Sequence, residues 1–355
     1  MKTQNHKFFI KVFGCQYNEW DKMRLAFVLN KLGLLETTEK DANIIFLLNC
    51  SVRKTGVDRA LGFARNFIEQ DKKVVVTGCV LEQDRKRFTA KGAIVWDGKD
   101  PAKLNEILDI KSSDKLPTTN YRLSASLVPI MTGCNNFCSY CAVPYTRGRE
   151  ISRPVEEILD DVRCAVEAGE KEIILLGQNV NSYNQNKELG MRNKGKKDFA
   201  ILLEKINSLP GDFKVKFTSN HPKDMSDDII EAIATLPKIV KEIHLPLQSG
   251  SNKVLKDMNR PYTRDQYLDL IEKIKKRIPE IKITTDSIVG FPTETEEDFE
   301  QTVDIYKKVG FAQAYNNKYS PREGTKAWEL GDPVPWAEKQ LRWRILNDLS
   351  YKSEK

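Results

Sequence analysis

Residues 8–79 alternate between short apolar runs and longer segments whose apolar positions recur at helical spacing. The apolar runs are FFIKVFGC, NIIFLLNC and VVVTGC, and the segments between them are DKMRLAFVLNKLG and GVDRALGFARNFIEQ. Strands that alternate with amphipathic helices form parallel sheets with helices on their faces. The pattern therefore predicts an N-terminal parallel-sheet α/β domain over residues 1–110.

A second alternating series follows a polar, proline-containing stretch at residues 111–122, which we interpret as an interdomain linker. Its strand-like runs are SLVPIMTG, KEIILLGQN, FKVKFTSN, IHLPLQSG, IKITTDSIVG and AYNNKYSP, and segments with helical periodicity separate them. Thr263 and Thr295 are placed to cap helix starts, and Gly169 and Gly310 to end helices. The series predicts a partial (βα)6 barrel over residues 123–355, with its working face at the carboxyl ends of the strands.

Composition narrows the class of protein. The 355 residues suffice for two domains, and 40% hydrophobic and 30% charged residues are ordinary for a soluble globular chain. The N-terminal apolar run is too short for a signal peptide, and no stretch is long enough to span a bilayer. We therefore expect a cytoplasmic protein with reduced thiols and no membrane partner. The net charge of +7 is compatible with a polyanionic partner.

Three closely spaced cysteines follow the first strand of the second series. Cys134, Cys138 and Cys141 form a CxxxCxxC triplet in the run TGCNNFCSYC. Such a triplet can ligate three irons of a cubane 4Fe-4S cluster and leave the fourth iron open to a small molecule. A disulfide framework is disfavoured by the low cysteine content, and a zinc knuckle by the lack of a second pair or suitably spaced histidines.

Three further cysteines end the strand-like runs of the first domain. Cys15, Cys50 and Cys79 fall on one predicted sheet edge, because the carboxyl ends of parallel strands share an edge. Each cysteine could simply be a small buried hydrophobic residue. However, Gly14 and Gly78 allow the backbone to approach a bound group closely, and three thiols on one edge favour a second three-thiolate cluster. The seventh cysteine, Cys164, lies within a helical stripe and is interpreted as packing.

Polar residues at the strand ends of the second domain are candidates for binding whatever coordinates the open iron. They are Gln178, Asn179, Gln248, Ser249 and Asp286. Individually each could be a turn former or a helix cap, and for Ser249 these alternatives stay open. Together, on one rim, they are typical of a cofactor-binding face.

Motifs along nearly the whole chain, from about residue 8 to about residue 350, resemble those of one family. They are FGCQYNEWDKMR, LLNCSVR, VTGCV, CNNFCSYCAVPYTRGREISRP, LLGQNVN, FTSNHP, HLPLQSGS and DSIVGFPTET. In this order they resemble the radical S-adenosylmethionine (radical SAM) methylthiotransferases, most closely the tRNA-2-methylthio-N(6)-dimethylallyladenosine synthase (MiaB-type) branch. The chain differs from this pattern at Tyr17, where methionine is common. The resemblance does not extend to the family's C-terminal β-barrel (TRAM) domain, so we expect either that the sequence is a fragment or that the protein binds RNA without that module.

The resemblance implies a mechanism and partners. The cluster on Cys134, Cys138 and Cys141 would bind S-adenosyl-L-methionine and, once reduced, cleave it to a deoxyadenosyl radical. A second 4Fe-4S cluster on Cys15, Cys50 and Cys79 would deliver the methylthio group to carbon 2 of an isopentenyl-adenosine next to the anticodon. The implied partners are a tRNA anticodon loop and a reducing protein such as flavodoxin or ferredoxin, with the enzyme monomeric. No residue is nominated as a general acid or base, because radical chemistry needs positioning and exclusion of water.

Basic residues are candidates for holding the RNA backbone, since a loop base is unstacked cheaply and splayed into a pocket. Arg147 and Arg149 follow the cysteine triplet directly, and ion pairs with acidic helices are the alternative for both. The loop NQNKELGMRNKGKK is either a solvated insertion or an RNA-contacting flap. Its basic residues are Lys187, Arg192, Lys194, Lys196 and Lys197, against the single acid Glu188.

Alternative functions remain open on the sequence. Related enzymes act on threonylcarbamoyl-adenosine in tRNA or on an aspartate of a ribosomal protein, and PYTRG, GQNVN and the His221-Pro222 pair favour the isopentenyl-adenosine branch. A protein of another class, a non-catalytic iron–sulfur electron carrier, would be expected to use four-cysteine ligation and not to cleave a cofactor.

Overall fold

The computed structural model describes residues 6–52, 54–98, 100–110, 125–184 and 196–351. These residues form two compact units. The first unit contains the described residues up to 110 together with Tyr145–Arg147 and Arg322–Gly324, and the second contains the others. The stretch interpreted as a linker, 111–122, lies outside the described residues. Within them, no helix is both long enough and apolar enough to cross a membrane.

The first unit is built on a five-stranded parallel sheet. Its strands are β1 (Lys7–Val12), β2 (Leu35–Glu36), β3 (Ile44–Cys50), β4 (Lys73–Cys79) and β5 (Ile94–Val95), and its helices are α1 (Gln16–Lys31), α2 (Lys54–Ile68), α3 (Glu82–Thr89) and α4 (Lys103–Leu108). The strand order is β2-β1-β3-β4-β5. The predicted parallel sheet of β1, β3 and β4 with α1 and α2 is confirmed. The two edge strands and the short helices α3 and α4 were not predicted. Each edge strand has only two residues, α3 reads EQDRKRFT with a single large apolar position, and α4 has only six residues.

The central strand β3 explains why both faces of this sheet are covered. It reads IIFLLNC and is buried along almost its whole length, which is usual for a central parallel strand. Phe46 and Leu48 contribute to a core with α1 and α4, whereas Ile45 and Leu47 contribute to a core with α2 and α3. Burial on both faces makes the register of β3 well specified, and the register determines where Cys50 lies.

The chain from residue 125 onward carries the alternating elements of the second unit. The strands are β6 (Leu127–Pro129), β7 (Met131–Thr132), β8 (Ile151–Ser152), β9 (Glu172–Leu176), β10 (Lys214–Phe217), β11 (Glu242–His244), β12 (Lys282–Val289) and β13 (Gln313–Lys318). The helices are α5 (Val143–Thr146), α6 (Val155–Glu167), α7 (Asp198–Asn207), α8 (Asp227–Thr235), α9 (Asn252–Asp257), α10 (Arg264–Arg277), α11 (Glu296–Val309) and α12 (Trp336–Tyr351). Strands β7 and β8 pair antiparallel beside the main sheets.

Six parallel strands of the second unit form the predicted partial barrel. They make two three-stranded sheets, β6-β9-β10 and β11-β12-β13. A parallel bridge between Val215 and Ile239 joins β10 to the chain entering β11, with the N–H of Val215 donating to the carbonyl of Lys238 at 2.8 Å and the N–H of Val240 donating to the carbonyl of Val215 at 3.0 Å. Strand order therefore follows chain order, and the α/β prediction is confirmed.

The predicted helix caps of the second unit are also confirmed. Thr263 and Thr295 each accept a backbone hydrogen bond in a reciprocal capping box. Gly310 ends α11 with a φ of 60°, and Gly169 follows α6 with a φ of 96°. Only glycine adopts this left-handed region without strain, so these local signals identify the ends of the helices correctly.

Candidate functional site

The first cysteine set lies at one edge of the first unit's sheet. Cys50 and Cys79 are the last residues of β3 and β4 and are register partners in the parallel pair. Cys15 follows β1 and caps the start of α1. Burial, with the charge of Cys79 next, raises the pKa of Cys50 to about 12. The sequence-based expectation that these residues share an edge is therefore met by the geometry of the sheet.

Two glycines and two asparagine side chains determine the backbone geometry around this set. Gly78 has a φ of 90°, and a Cβ there would lie 2.7 Å from the carbonyl oxygen of Asn49. A Cβ on Gly14 would overlap the side chain of Asn18, which is fully buried and donates to the same carbonyl at 3.4 Å. Asn49 donates in turn to the carbonyl of Cys79 at 2.9 Å. These contacts fix the strand ends that carry the thiols.

Arg147 contacts this cysteine set. Its Nε donates to Sγ of Cys79 at 3.1 Å, its Nη2 donates to Asp21 at 2.7 Å, and its guanidinium lies 4.4 Å from the ring centroid of Tyr17. The side chains of Arg147 and Asp21 are 12% and 10% exposed, so the pair is largely removed from water. The neighbouring negative groups hold the pKa of Arg147 well above its usual value despite burial. The ion-pair alternative for Arg147 is thus realised, whereas its role in RNA binding stays a prediction.

The second cysteine set lies on the loop between β7 and α5. The N–H of Cys134 donates to the carbonyl of Gly148 at 3.2 Å, and the N–H of Cys141 donates to the carbonyl of Cys138 at 2.9 Å. Gly133 has a φ of 76°, and a Cβ there would overlap the carbonyl of Arg149. Its N–H donates to Oε1 of Gln178 at 2.7 Å. The loop is therefore folded tightly against its neighbours, and Gln178 acts as one of its supports.

Buried polar groups surround the second set. Burial, with the charge of Cys138 next, raises the pKa of Cys141 to about 12, and burial also raises the pKa of Cys134. Nη1 of Arg260 donates to Sγ of Cys138 at 3.6 Å, and Nη2 donates to the carbonyl of Pro246 at 2.9 Å. A buried guanidinium therefore contacts one thiol of this set. Sequence reasoning missed Arg260, because it lies 122 residues from Cys138 in the chain.

The two sets are compatible with iron–sulfur cubanes, as judged from their donor chemistry. In the part of the chain that the structure describes, no three His, Cys, Asp or Glu side chains lie close enough to hold a single metal ion. A cubane spreads three thiolates over three irons, so its ligands stand farther apart than those around one ion. Thiols with raised pKa values also need nearby positive charge to ionise, which the irons of a cluster supply.

Four of the five predicted rim residues follow the carboxyl ends of barrel strands: Gln178 and Asn179 follow β9, and Gln248 and Ser249 follow β11. Asn179 follows β9 and donates to Asp224 at 2.8 Å. Gln248 has a φ of 67°, and its N–H donates to the carbonyl of Asp286 at 2.8 Å. Asp286 lies within β12 rather than beyond its end, and its carboxylate lies 3.1 Å from Nε2 of His244. Buried Ser249 accepts from the N–H of Ser251 at 3.2 Å, which agrees with the turn-forming alternative for this residue.

Three buried polar atoms at this edge have no hydrogen-bond partner among the residues that the structure describes. They are Oδ1 of Asn179, Oδ1 of Asn220 and Nε2 of His221. Each residue is less than 5% exposed, and such atoms cost free energy unless a ligand or water satisfies them. Nδ1 of His221 accepts from the N–H of Lys223 at 3.3 Å, which leaves the proton of the neutral ring on Nε2. Asn220 was not among the predicted residues, and the run of polar residues after β10 was the available signal.

The structure describes some of the remaining basic residues that are candidates for contact with RNA. The guanidinium of Arg149 lies 4.3 Å from the ring centroid of Phe137. Lys196 pairs with Glu204 at 2.8 Å, and the backbone N–H of Lys197 donates to Asp228. The rest of the predicted basic loop, including Lys187, Glu188, Arg192 and Lys194, falls in 185–195, outside the described residues. Contact of this loop with RNA stays a prediction.

Two family models match the chain. The model of the Radical SAM superfamily matches residues 128–305, and the model described as Uncharacterized protein family UPF0004 matches residues 7–96. The first match includes Cys134, Cys138 and Cys141, and the second includes Cys15, Cys50 and Cys79.

Curated relatives are similar over almost the whole chain. A tRNA-2-methylthio-N(6)-dimethylallyladenosine synthase of Clostridium botulinum (strain Okra / Type B1) is 40% identical over 380 residues, covering 98% of this chain and 83% of the relative. A protein of the same name from Thermotoga petrophila is 39% identical over 366 residues, covering 97% of this chain and 81% of the relative.

Solved structures share the fold at low sequence identity. The radical S-adenosylmethionine methyltransferase TsrM from Kitasatospora setae, with cobalamin and a 4Fe-4S cluster bound, has a TM-score of 0.64 at 11% identity and covers 92% of this chain and 77% of its own. The cobalamin-dependent S-adenosylmethionine radical enzyme OxsB has a TM-score of 0.59 at 13% identity and covers 98% of this chain and 56% of its own. At these identities the likeness concerns the fold alone.

Proposed function

Because this chain belongs to the radical SAM methylthiotransferase family, we propose that it adds a methylthio group to carbon 2 of isopentenyl-adenosine next to the anticodon of tRNA. The family consists of enzymes, which removes the electron-carrier alternative. The observation that carries the choice of substrate is the 40% identity, over 98% of this chain, to a relative named for methylthiolation of dimethylallyladenosine in tRNA.

Membership of the radical SAM family implies a 4Fe-4S cluster and S-adenosylmethionine. We assign Cys134, Cys138 and Cys141 to that cluster, because the loop brings three thiols together and leaves no fourth cysteine beside them in the sequence. When bound and reduced, the cluster supplies the electron that starts radical chemistry on the cofactor. The chain's own contribution is to hold the loop in place through Gln178 and Gly133.

We propose that S-adenosylmethionine and the reacting base bind at the carboxyl edge of the barrel strands, where the unpartnered buried atoms lie. Oδ1 of Asn179 offers a buried acceptor and Nε2 of His221 a buried donor, and neither atom has a partner within the described part of the chain. Burial lowers the pKa of His221 to about 2, so this donor is neutral at any working pH. Gln248, Ser249 and Asp286 from the neighbouring strands complete the proposed rim. A methionine-derived zwitterion or a nucleobase carries donors and acceptors that match such groups.

A second cluster on Cys15, Cys50 and Cys79 is proposed as the source of the transferred sulfur. Support comes from the shared sheet edge and the register pairing of Cys50 with Cys79. The unit that carries these residues coincides with a family model that is separate from the radical SAM match. Methylthiotransfer needs a sulfur donor beyond the cofactor, and a cluster with an open iron provides one.

The proposed macromolecular partners follow from the substrate. A base in an anticodon loop is unstacked at low cost, and Arg149 is proposed to contact the RNA backbone. A low-potential reducing protein such as flavodoxin or ferredoxin would supply electrons to the cluster, and the proposed enzyme would act as a monomer in the cytoplasm, where mature tRNA occurs.

The test is nucleoside mass spectrometry of tRNA from a bacterial strain that lacks its own methylthiotransferase and carries this gene. We expect 2-methylthio-isopentenyl-adenosine with the wild type and with Cys164→Ala, whose half-buried thiol lies within helix α6 and belongs to neither cysteine set. We expect only isopentenyl-adenosine with Cys79→Ala or Cys138→Ala. Methylthiolation of threonylcarbamoyl-adenosine, or of a ribosomal-protein aspartate with unchanged tRNA, would instead identify one of the other branches.

A further inference from the structure

Arg147 places a permanent positive charge against a single thiol of the first cysteine set. Its Nε donates to Sγ of Cys79 at 3.1 Å, and its Nη2 is held by Asp21 at 2.7 Å. We propose that Arg147 is a positioning residue for the second cluster: its hydrogen bond to Cys79 raises the reduction potential of that cluster and orients this ligand. The inference rests on the proposed function, because it requires that Cys15, Cys50 and Cys79 hold a cluster.

The hydrogen bond acts on the potential through elementary electrostatics. Reduction adds negative charge to a cluster, and a donor or a cation beside a ligating sulfur stabilises the reduced state more than the oxidised state. The guanidinium does not lose its proton at any working pH, so the charge is permanent. The side chain of Arg147 is only 12% exposed, and water screens its interaction with Cys79 far less than it would screen a surface pair.

The guanidinium donates a hydrogen bond to one ligand of the set. Among the described residues it donates to Cys79 and Asp21, while the thiol of Cys15 contacts Oδ1 of Asn18 at 3.6 Å. Within the described residues, Cys79 is therefore the ligand that receives a charged donor. An asymmetric set of this kind makes the irons inequivalent, since the sulfur with the donor gives less electron density to its iron.

Tyr17 explains how the arginine is kept in place in this particular chain. The guanidinium stacks over its ring at 4.4 Å, and Tyr17 is 7% exposed. Tyr17 stands four residues before Asp21 on α1, so the ring and the carboxylate lie on the same face of the helix and contact the arginine together. Stacking on an aromatic ring restrains the orientation of a guanidinium. A flexible side chain such as methionine at this position would leave the guanidinium more mobile.

The experiment isolates the first cysteine set in the full-length protein. The triple variant Cys134→Ala/Cys138→Ala/Cys141→Ala removes the ligands of the other cluster, and anaerobic reconstitution should give one cluster per chain. Arg147→Met and Arg147→Lys are introduced into this background, and the midpoint potential is measured by redox titration with electron paramagnetic resonance detection. We expect a shift to lower potential in Arg147→Met and a smaller shift in Arg147→Lys, which keeps the charge but loses the planar donor geometry.

Two further variants separate this effect from general disturbance. Arg65→Met removes the same charge from an exposed site near the end of α2, and we expect no shift in potential. Tyr17→Met keeps Arg147 and removes the ring, and we expect a shift in the same direction as Arg147→Met but smaller. If Arg147→Met fails to retain iron, retention by Arg147→Lys would support the positioning role.

An unchanged potential in iron-loaded Arg147→Met would overturn the inference while leaving the second cluster intact. A folded triple variant that binds no iron and sulfide would overturn the proposed second cluster, and the inference with it. The two failures are therefore distinguished by iron analysis before any potential is measured.

Discussion

Nη1 of Arg260 lies 3.6 Å from Sγ of Cys138, and the guanidinium is almost completely buried in the second unit. The same side chain donates to the carbonyl of Pro246 at 2.9 Å and to the hydroxyl of Tyr262 at 3.0 Å. Each cysteine set therefore has one buried arginine in contact with one of its thiols, Arg147 in the first set and Arg260 in the second.

Replacement of Arg260 is expected to cost stability because its partners remain buried. Arg260→Met would leave the carbonyl of Pro246 without its charged donor, and we expect the free energy of unfolding to fall by about 2–3 kcal/mol. Urea unfolding followed by circular dichroism measures this, with the exposed Lys256→Met as a control that should change it by less than about 0.5 kcal/mol. A loss no larger than the control's would show that the contacts of Arg260 are unimportant for folding.

Gly133 and Gly148 offer a matched pair for testing the loop of the second cysteine set. Both have positive φ, 76° and 82°, but a Cβ on Gly133 would overlap the carbonyl of Arg149 whereas Gly148 has open space. Gly148→Ala should cost only the backbone strain of about 1 kcal/mol. Gly133→Ala should in addition displace the loop and remove the iron bound by Cys134, Cys138 and Cys141. Iron and sulfide analysis after reconstitution should fall from two clusters to one in Gly133→Ala alone, and equal iron in the two variants would contradict this.

Asp298 should make part of the stability depend on acid pH. Burial acts to raise the pKa of this carboxyl, but hydrogen bonds from Lys253, Ser251 and Thr295 outweigh burial and lower the pKa to about 2. A pKa lower in the folded than in the unfolded state gives stability that is present above about pH 4 and is lost as pH falls toward 2. Asp298→Asn should reduce the free energy of unfolding by about 2 kcal/mol at pH 6.

The difference between wild type and Asp298→Asn should shrink as pH falls from 4 to 3, and urea unfolding at several pH values measures it. Lys253→Met removes one of the three stabilising donors and should show a smaller loss with the same pH profile. A difference that is constant across this range would contradict the assignment.

His221 should affect ligand binding more than folding. His221→Phe keeps a ring beside Tyr262, whose centroid lies 5.8 Å away, and removes a buried donor that has no partner among the described residues. It also removes the acceptor of the Lys223 N–H, so the two changes oppose each other and the free energy of unfolding should change by less than about 1 kcal/mol. Equilibrium binding of S-adenosylmethionine to the reconstituted protein should weaken about tenfold, which corresponds to one lost hydrogen bond of about 1.4 kcal/mol. Unchanged affinity together with lower stability would assign His221 a purely structural role.

Much of the fold of this protein follows from local sequence patterns. The apolar runs that end in Cys50 and Cys79 predict buried parallel strands, and parallel strands carry their last residues to a common edge. Because periodicity is a property of neighbouring residues, the order of strands and helices, the capping boxes at Thr263 and Thr295 and the shared edge of the first cysteine set were predicted correctly. Short polar elements such as α3 carry too few apolar positions for the same reasoning.

The tertiary structure decided which polar groups meet. Arg147 is 126 residues from Asp21 and 68 from Cys79, and no spacing rule links residues so far apart in the chain. The sequence left RNA binding and an ion pair open for this arginine, and the structure places it against a thiol and a carboxylate. The unpartnered atoms of Asn179 and His221 are likewise visible only in three dimensions, since hydrogen bonding depends on the path of the whole backbone rather than on residue type.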